Sequence, residues 1–176
     1  DPALPQLLKV DGPVLSSVMG AALAAERTTA ERLAPGGDPD ALVFESYANP
    51  FRTYPLAGDY EKFKELFAER NVDCYILNTG FFMDKKIPKE VTLGCVETIV
   101  EGKGSFHPWG NFTGLEIMEI DGFVPNWEDE EYKNVLRARM NDRLQFVLSR
   151  DEAKGGYDKL PDEAKDALRK LVEQVG

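Results

Sequence analysis

The chain is 176 residues long, which is enough for one domain with a buried core. Its 31 acidic and 21 basic residues give a net charge of −10. This balance argues against a broad nucleic-acid-binding surface, because such a surface needs a cationic stripe. No apolar run reaches the length of a bilayer-spanning helix, so we expect neither nucleic acid nor a membrane as a partner.

The two cysteines, Cys74 and Cys95, lie in apolar contexts and lack the spacing of metal ligands. Buried free thiols are typical of a reducing compartment, and we therefore expect a cytoplasmic protein. The chain begins Asp1-Pro2 without a methionine, as an internal piece of a longer polypeptide or a trimmed chain would.

The first half of the chain predicts a helix, a strand and a second helix. Residues 14–33 are rich in alanine and favour a helix, which the prolines and glycines of residues 35–39 interrupt. The apolar run 41–44 predicts a buried strand. An amphipathic helix is predicted from a cap at Asp59 to Asn71, because apolar residues recur there at spacings of three and four.

The second half alternates short apolar strands with helices. Its predicted elements are a strand 74–77, a helix 91–102, a strand or edge ribbon 115–125, and helices 127–150 and 161–175. Because helices interleave with strands rather than hairpins, the predicted class is α/β, with a small mixed sheet flanked by helices.

Strong catalytic motifs are lacking in this sequence. His107, in SFHPWG, has no potential catalytic partner at a recognisable motif spacing. The favoured interpretation is a loop histidine that packs beside Trp109. The segment GKGS at 102–105 lacks the upstream glycine and preceding strand of a phosphate loop. We assign no catalytic and no metal-binding residue, and we expect no complete active site in this chain alone.

The strand 74–77 stops at Asn78-Thr79-Gly80, and a basic segment ending in Thr92 follows. Lys86 could balance part of a phosphate charge, and the Thr92 hydroxyl could bond a ribose. Alternatively, Thr92 caps the next helix and Lys86 belongs to a solvated loop, which the residue types alone favour.

The order of several short motifs resembles the carboxyl-terminal part of ATP-dependent phosphoenolpyruvate carboxykinases. In that family a Pro-Phe turn and a helix lead to a strand ending in Asn-Thr-Gly, and a basic-Ile segment ending in threonine follows. The corresponding motifs here are NPFRTYP, VDCYILNTG, KKIPKEVT, GLEIMEIDGFVP and NWEDEEYKNVLRARM. The resemblance runs from about Val14 to about Arg150, and the final helix has no counterpart in it.

The resemblance implies a fold, a reaction and a site. The family has two mixed α/β lobes and interconverts oxaloacetate and ATP with phosphoenolpyruvate, carbon dioxide and ADP, assisted by Mg²⁺ and Mn²⁺. By position, Lys86 corresponds to a nucleotide-contacting arginine, Ile87 to the adjacent isoleucine and Thr92 to a nucleotide-contacting threonine. The family's phosphate loop and metal ligands have no counterpart in this chain.

Two departures bear on this implied site. Lys86 keeps the charge of the family's arginine but loses its planar fork of donors. Phe81 and Phe82 stand where the family has a glycine-rich turn, and these bulky side chains could fill the adenine space.

The resemblance divides the chain into a lead or linker over 1–13, a partial carboxykinase-like lobe over 14–150 and a helical extension over 151–176. It implies the nucleotide-site portion of a longer ATP-dependent enzyme, whose partners are the rest of the polypeptide and the nucleotide. Whether that protein is an active enzyme is left open. The alternative is a non-catalytic binding or oligomerisation module that keeps the fold, and a homo-oligomer is also left open.

Overall fold

In a computed structural model of the chain, residues 1–26, 36 and 42–176 are described. The α/β class is confirmed, because helices flank a small four-stranded sheet. Within the described ranges the helices are α1 (Pro13–Ala21), α2 (Leu56–Glu69), α3 (Lys89–Val100), α4 (Glu130–Ser149) and α5 (Asp162–Gln174). The strands are β1 (Leu7–Val10), β2 (Ala24–Glu26), β3 (Leu42–Phe44), β4 (Cys74–Leu77), β5 (Phe81–Phe82), β6 (Lys85–Lys86), β7 (His107–Pro108) and β8 (Leu115–Ile117).

The main sheet has the strand order β4-β1-β8-β7, and its pairings are antiparallel. Strand β1 lies inside it, because Leu8 pairs with Ile76 of β4 on one side and with Ile117 of β8 on the other. Three of the four residues of β1 are buried. Residues 1–13, for which the sequence predicted no element, thus supply a strand that holds the sheet together.

Two short ribbons accompany this sheet. Strands β2 and β3 pair with each other, and β5 and β6 form a hairpin in which Phe81 lies opposite Lys86. The predicted strand 41–44 is confirmed as β3, although its residues are half-buried rather than buried. Across the described ranges, no helix has the length and hydropathy needed to cross a membrane.

Two predicted helix boundaries are wrong. The alanine-rich helix ends at Ala21 rather than near residue 33, because the chain turns into strand β2; the remainder of that prediction, residues 27–33, lies outside the described residues. Helix α2 starts at Leu56, so Asp59 lies within its first turn and Pro55 occupies the cap position. The predicted end at Asn71 is confirmed by its left-handed backbone, with φ of 50°.

The two carboxyl-terminal helices are confirmed, and both pack on one core with β1 and α1. Their buried apolar residues recur at helical spacings, as burial of one face requires. In α4 these residues are Tyr132, Leu136, Met140, Leu144 and Val147, and in α5 they are Ala164, Leu168 and Leu171. Asp129 caps α4, because its carboxylate accepts a hydrogen bond from the Glu131 N–H at 2.9 Å.

A largely buried ion pair ties the segment between α4 and α5 to the start of α2. Asp158 accepts hydrogen bonds from the Arg52 guanidinium at 2.5 Å and from the Leu56 N–H at 3.0 Å. The side chains of Arg52 and Asp158 are only 18% and 9% exposed. The Arg52 guanidinium, more than any other group, lowers the pKa of the Asp158 carboxyl.

We expect Asp158→Asn to destabilise the fold by about 2–4 kcal/mol at neutral pH, because it leaves the Arg52 guanidinium without its carboxylate. Since the pKa of Asp158 is lower in the folded state, its contribution is present above the unfolded pKa of about 4 and is lost as the pH falls through the folded pKa. Urea unfolding at pH 7 and pH 3 should therefore show a difference from wild type that shrinks in acid. The control is Asp166→Asn, which removes an exposed partner of Arg169 and should cost less than about 0.5 kcal/mol. A difference that stays constant with pH would contradict the assigned ion pair.

Candidate functional site

A hollow of about 440 Å³ opens where strand β4 ends. It is formed by the end of β4, the turn after it, strand β2, the first residues of the chain and one side chain of β6. Its aliphatic lining residues are Leu4, Leu23, Ala24, Ala25, Ile76 and Leu77, and its polar ones include Asp1, Asn78, Thr79 and Lys86. The hollow therefore combines apolar walls with a few polar groups, which is typical of small-molecule sites.

The side chain of Asn78 builds the turn at the end of β4. Its Nδ2 donates to the carbonyl oxygens of Asp1 and Leu4 at 2.9 and 2.8 Å. The same nitrogen donates to the Phe81 carbonyl at 2.8 Å, while Oδ1 accepts from the Gly80 N–H at 3.2 Å. Because its hydrogen-bonding groups are used within the protein, Asn78 acts as a scaffold of the hollow.

Residues of helix α4 also hold the first residues of the chain in place. The Asp1 carboxylate forms an ion pair with the Arg143 guanidinium, and both side chains are almost fully buried. The Tyr132 hydroxyl donates to the Ala3 carbonyl at 3.1 Å. Burial lowers the pKa of Arg143 to about 10, so the guanidinium remains charged at neutral pH and balances Asp1.

Lys86 is the cation among the lining residues of the hollow. Its side chain is exposed, and Nζ lies 4.8 Å from the centre of the Phe81 ring, which is within reach of a cation–π contact. Phe82 points into the core, where its ring centre is 6.0 Å from that of Tyr132. Neither phenylalanine lines the hollow, so the pair does not fill it.

The other two predicted contacts lie elsewhere. Ile87 is buried in the core at 2% exposure, and its N–H donates to the Gly80 carbonyl at 3.0 Å, which closes the β5–β6 hairpin. Thr92 is the fourth residue of α3, and the cap position belongs to Pro88. The interpretation of Thr92 as a helix cap is therefore wrong. The structure brings Lys86 to the hollow and leaves Ile87 and Thr92 outside its lining, so a ligand contact by Thr92 stays a prediction.

Thr79 also lines the hollow, although the sequence predicted only a turn at this position. It is exposed, and its hydroxyl is a group that can both donate and accept a hydrogen bond. The available signal was its position directly after a strand, where loops of α/β proteins often carry ligand-binding groups.

The lone histidine does not pack as predicted. His107 is exposed in β7, and its Nε2 lies 3.2 Å from a carboxylate oxygen of Glu119. In the part of the chain that the structure describes, no three His, Cys, Asp or Glu side chains come together as a metal site.

The chain shows a distant similarity to a known enzyme. The chain is 26% identical over 159 residues, 84% of its length, to phosphoenolpyruvate carboxykinase (ATP) of Aeropyrum pernix. It spans about 30% of the length of that relative. No protein-family model matches the chain. These findings support a distant carboxykinase-like relation.

We expect Asn78→Asp to destabilise the fold by at least about 3 kcal/mol, because a buried carboxylate would face three carbonyl oxygens in place of an amide donor. Asn126→Asp is the matched control, since Asn126 is exposed and its Oδ1 only accepts from the Glu128 N–H, which an aspartate also does. Thermal unfolding of both variants measures the difference. Equal melting temperatures would show that the Asn78 amide does not hold the turn.

Proposed function

We propose that this chain forms the nucleotide-site portion of a longer carboxykinase-like protein, and that the hollow at the end of β4 receives the nucleotide. The observation that carries the proposal is the position of Lys86. The residue that corresponds to a nucleotide-contacting cation in the resembled family lines a hollow whose other polar residues are Asp1 and those of the Asn-Thr-Gly turn.

The size and lining of the hollow support a ligand of this kind. Its volume of about 440 Å³ lies within the range of about 300–1,000 Å³ that small-molecule sites occupy. Ile76, Leu77 and the alanines of β2 offer apolar surface on which a purine can lie. The Thr79 hydroxyl can bond a ribose or a ring nitrogen.

The charge distribution supports an anionic ligand. Asp1 is the acidic residue in the lining, and its carboxylate is balanced by Arg143. The Lys86 ammonium is exposed and can turn toward a phosphate as a mobile point charge. Ile87 anchors Lys86 from the core, and Thr92 is proposed as a further contact only if the ligand extends from the hollow to the first turn of α3.

The proposed parent uses ATP, with Mg²⁺ and Mn²⁺, in phosphoryl transfer and decarboxylation, and we propose that the catalytic and metal-binding groups for that reaction lie in parts of the parent outside this chain. We further propose a cytoplasmic location, which the two free cysteines support. The lobe over 14–150 and the helical extension over 151–176 remain proposed divisions, and α5 of the extension packs on the same core as β1.

Calorimetric titration of ATP into the full-length protein tests the proposal. We expect Lys86→Ala to weaken binding about tenfold, since a charge-assisted contact with phosphate contributes roughly 1.5 kcal/mol or more. The control is Lys62→Ala, which removes an exposed lysine of α2 paired with Glu65 and should leave the affinity unchanged.

Other results would contradict the proposal or change its extent. Equal affinity of wild type and Lys86→Ala would exclude the hollow as the phosphate-facing site. Loss of affinity in Thr92→Val would extend the site to α3, whereas an unchanged affinity would confine it to the hollow. Wild-type protein that binds no nucleotide would favour the alternative, a non-catalytic binding or oligomerisation module.

A further inference from the structure

The hollow at the end of β4 runs along strand edges rather than over one face of a sheet. Neighbouring residues of a strand point their side chains to opposite faces, so a cavity on one face touches only every second residue. This hollow is lined by the consecutive residues 23–25 at β2 and by the consecutive residues 76–78 at β4. It therefore borders an edge of each strand.

The pairing of β4 with β1 decides which main-chain groups lie on the outer edge of β4. In an antiparallel ladder, residue pairs that exchange hydrogen bonds alternate with pairs whose N–H and C=O groups point away from each other. The Asn78 N–H donates to the Gln6 carbonyl at 2.9 Å, and the next pair in the register is Leu77 opposite Leu7. The Leu77 N–H and C=O therefore point away from β1. Because β4 is the last strand of the sheet on this side, they lie along the edge that borders the hollow.

Strand β2 presents its main chain in the same way. The Glu45 N–H donates to the Leu23 carbonyl at 2.9 Å, and the next pair in the register is Ala24 opposite Phe44. The Ala24 N–H and C=O therefore point away from β3, along the edge that borders the hollow. Among the described residues, no further main-chain hydrogen bond reaches Ala24 or Leu77. Each of the two edges thus offers one N–H donor and one C=O acceptor to a ligand.

Adenine carries the complementary pattern on two of its edges. A ring nitrogen that accepts a hydrogen bond lies beside each hydrogen of its amino group, N1 on one side and N7 on the other. The N–H and C=O of one strand edge can therefore pair with N1 and the amino group, and those of a second strand edge with N7 and the amino group. Guanine has acceptors at both N7 and O6, so it can match only one of the two strand edges.

We propose that the hollow holds an adenine base between the edges of β2 and β4, and that the main chain of Ala24 and Leu77 selects adenine over guanine. Lys86, which lines the same hollow, then faces the phosphates. Recognition by main-chain groups needs no particular side chain, in agreement with the plain aliphatic residues at positions 24 and 77. This selection of the base rests on the proposed function, because it requires that the hollow receives a nucleotide.

Calorimetric titration of the full-length protein with ATP, GTP, 1-deaza-ATP and 7-deaza-ATP tests the proposal. Each deaza analogue has a C–H in place of one ring nitrogen and so lacks one acceptor. We expect GTP to bind at least about tenfold more weakly than ATP, because one strand edge is left unmatched. Each deaza analogue should bind about fivefold more weakly than ATP, because it loses a single hydrogen bond.

Proline substitutions connect these losses to individual donors. Ala24→Pro and Leu77→Pro each remove an N–H that takes no part in a ladder, which is where strands tolerate proline. We expect each proline variant to bind ATP and one of the two deaza analogues equally well, because the donor that distinguished them is gone, while the other analogue still binds more weakly. A loss of the same factor for ATP and both analogues would overturn the assignment of these donors.

The wild-type protein alone also decides the question, should the proline variants fail to fold. Equal affinity for ATP and either deaza analogue would overturn the proposal, and so would GTP that binds as tightly as ATP. ATP binding that depends on Lys86 but not on N1 and N7 would remove the base site and leave the proposed function standing. Protein that binds no nucleotide would overturn both.

Discussion

The amide of Asn78 is the interaction on which the described architecture of the site depends. It joins the first residues of the chain, the end of β4 and the β5–β6 hairpin through one buried side chain. The Asn78 N–H also donates to the Gln6 carbonyl at 2.9 Å, directly before β1 begins. One residue thereby positions the central strand of the sheet and the rim of the hollow, which explains why the apolar strand 74–77 ends in a polar turn.

The helices and three of the strands, β3, β4 and β8, could be predicted from the sequence because their signals are local. Helices α4 and α5 show their apolar faces at spacings of three and four, and these faces form the core. Strand β1 gives a weaker signal. Its four residues follow a proline-containing lead, and it is stabilised by pairing with β4 and β8, which are more than 60 residues away. Arg143, a charged residue buried within α4, could not be foreseen without its partner Asp1.

The candidate site could be predicted only in part, because adjacent residues of the chain point their side chains in different directions. Lys86 and Ile87 are neighbours, yet one is exposed at the hollow and the other is buried in the core. Thr92 was expected at a helix start, but α3 begins three residues earlier behind Pro88. Thr79 lies at the site because Asn78 organises the turn that contains it. The hydrogen bond from Asn78 to the Asp1 carbonyl joins residues 77 positions apart, so it could not be read from local sequence.

Photolabelling of the full-length protein with 8-azido-ATP tests the central claim most directly, because it maps where the base lies without relying on a substitution. The account predicts covalent attachment within residues 23–25 or 74–86, which contribute β2, the end of β4 and the hairpin to the hollow, and loss of that label when unlabelled ATP is added. Labelling confined to other segments, or labelling that ATP does not compete, would contradict it.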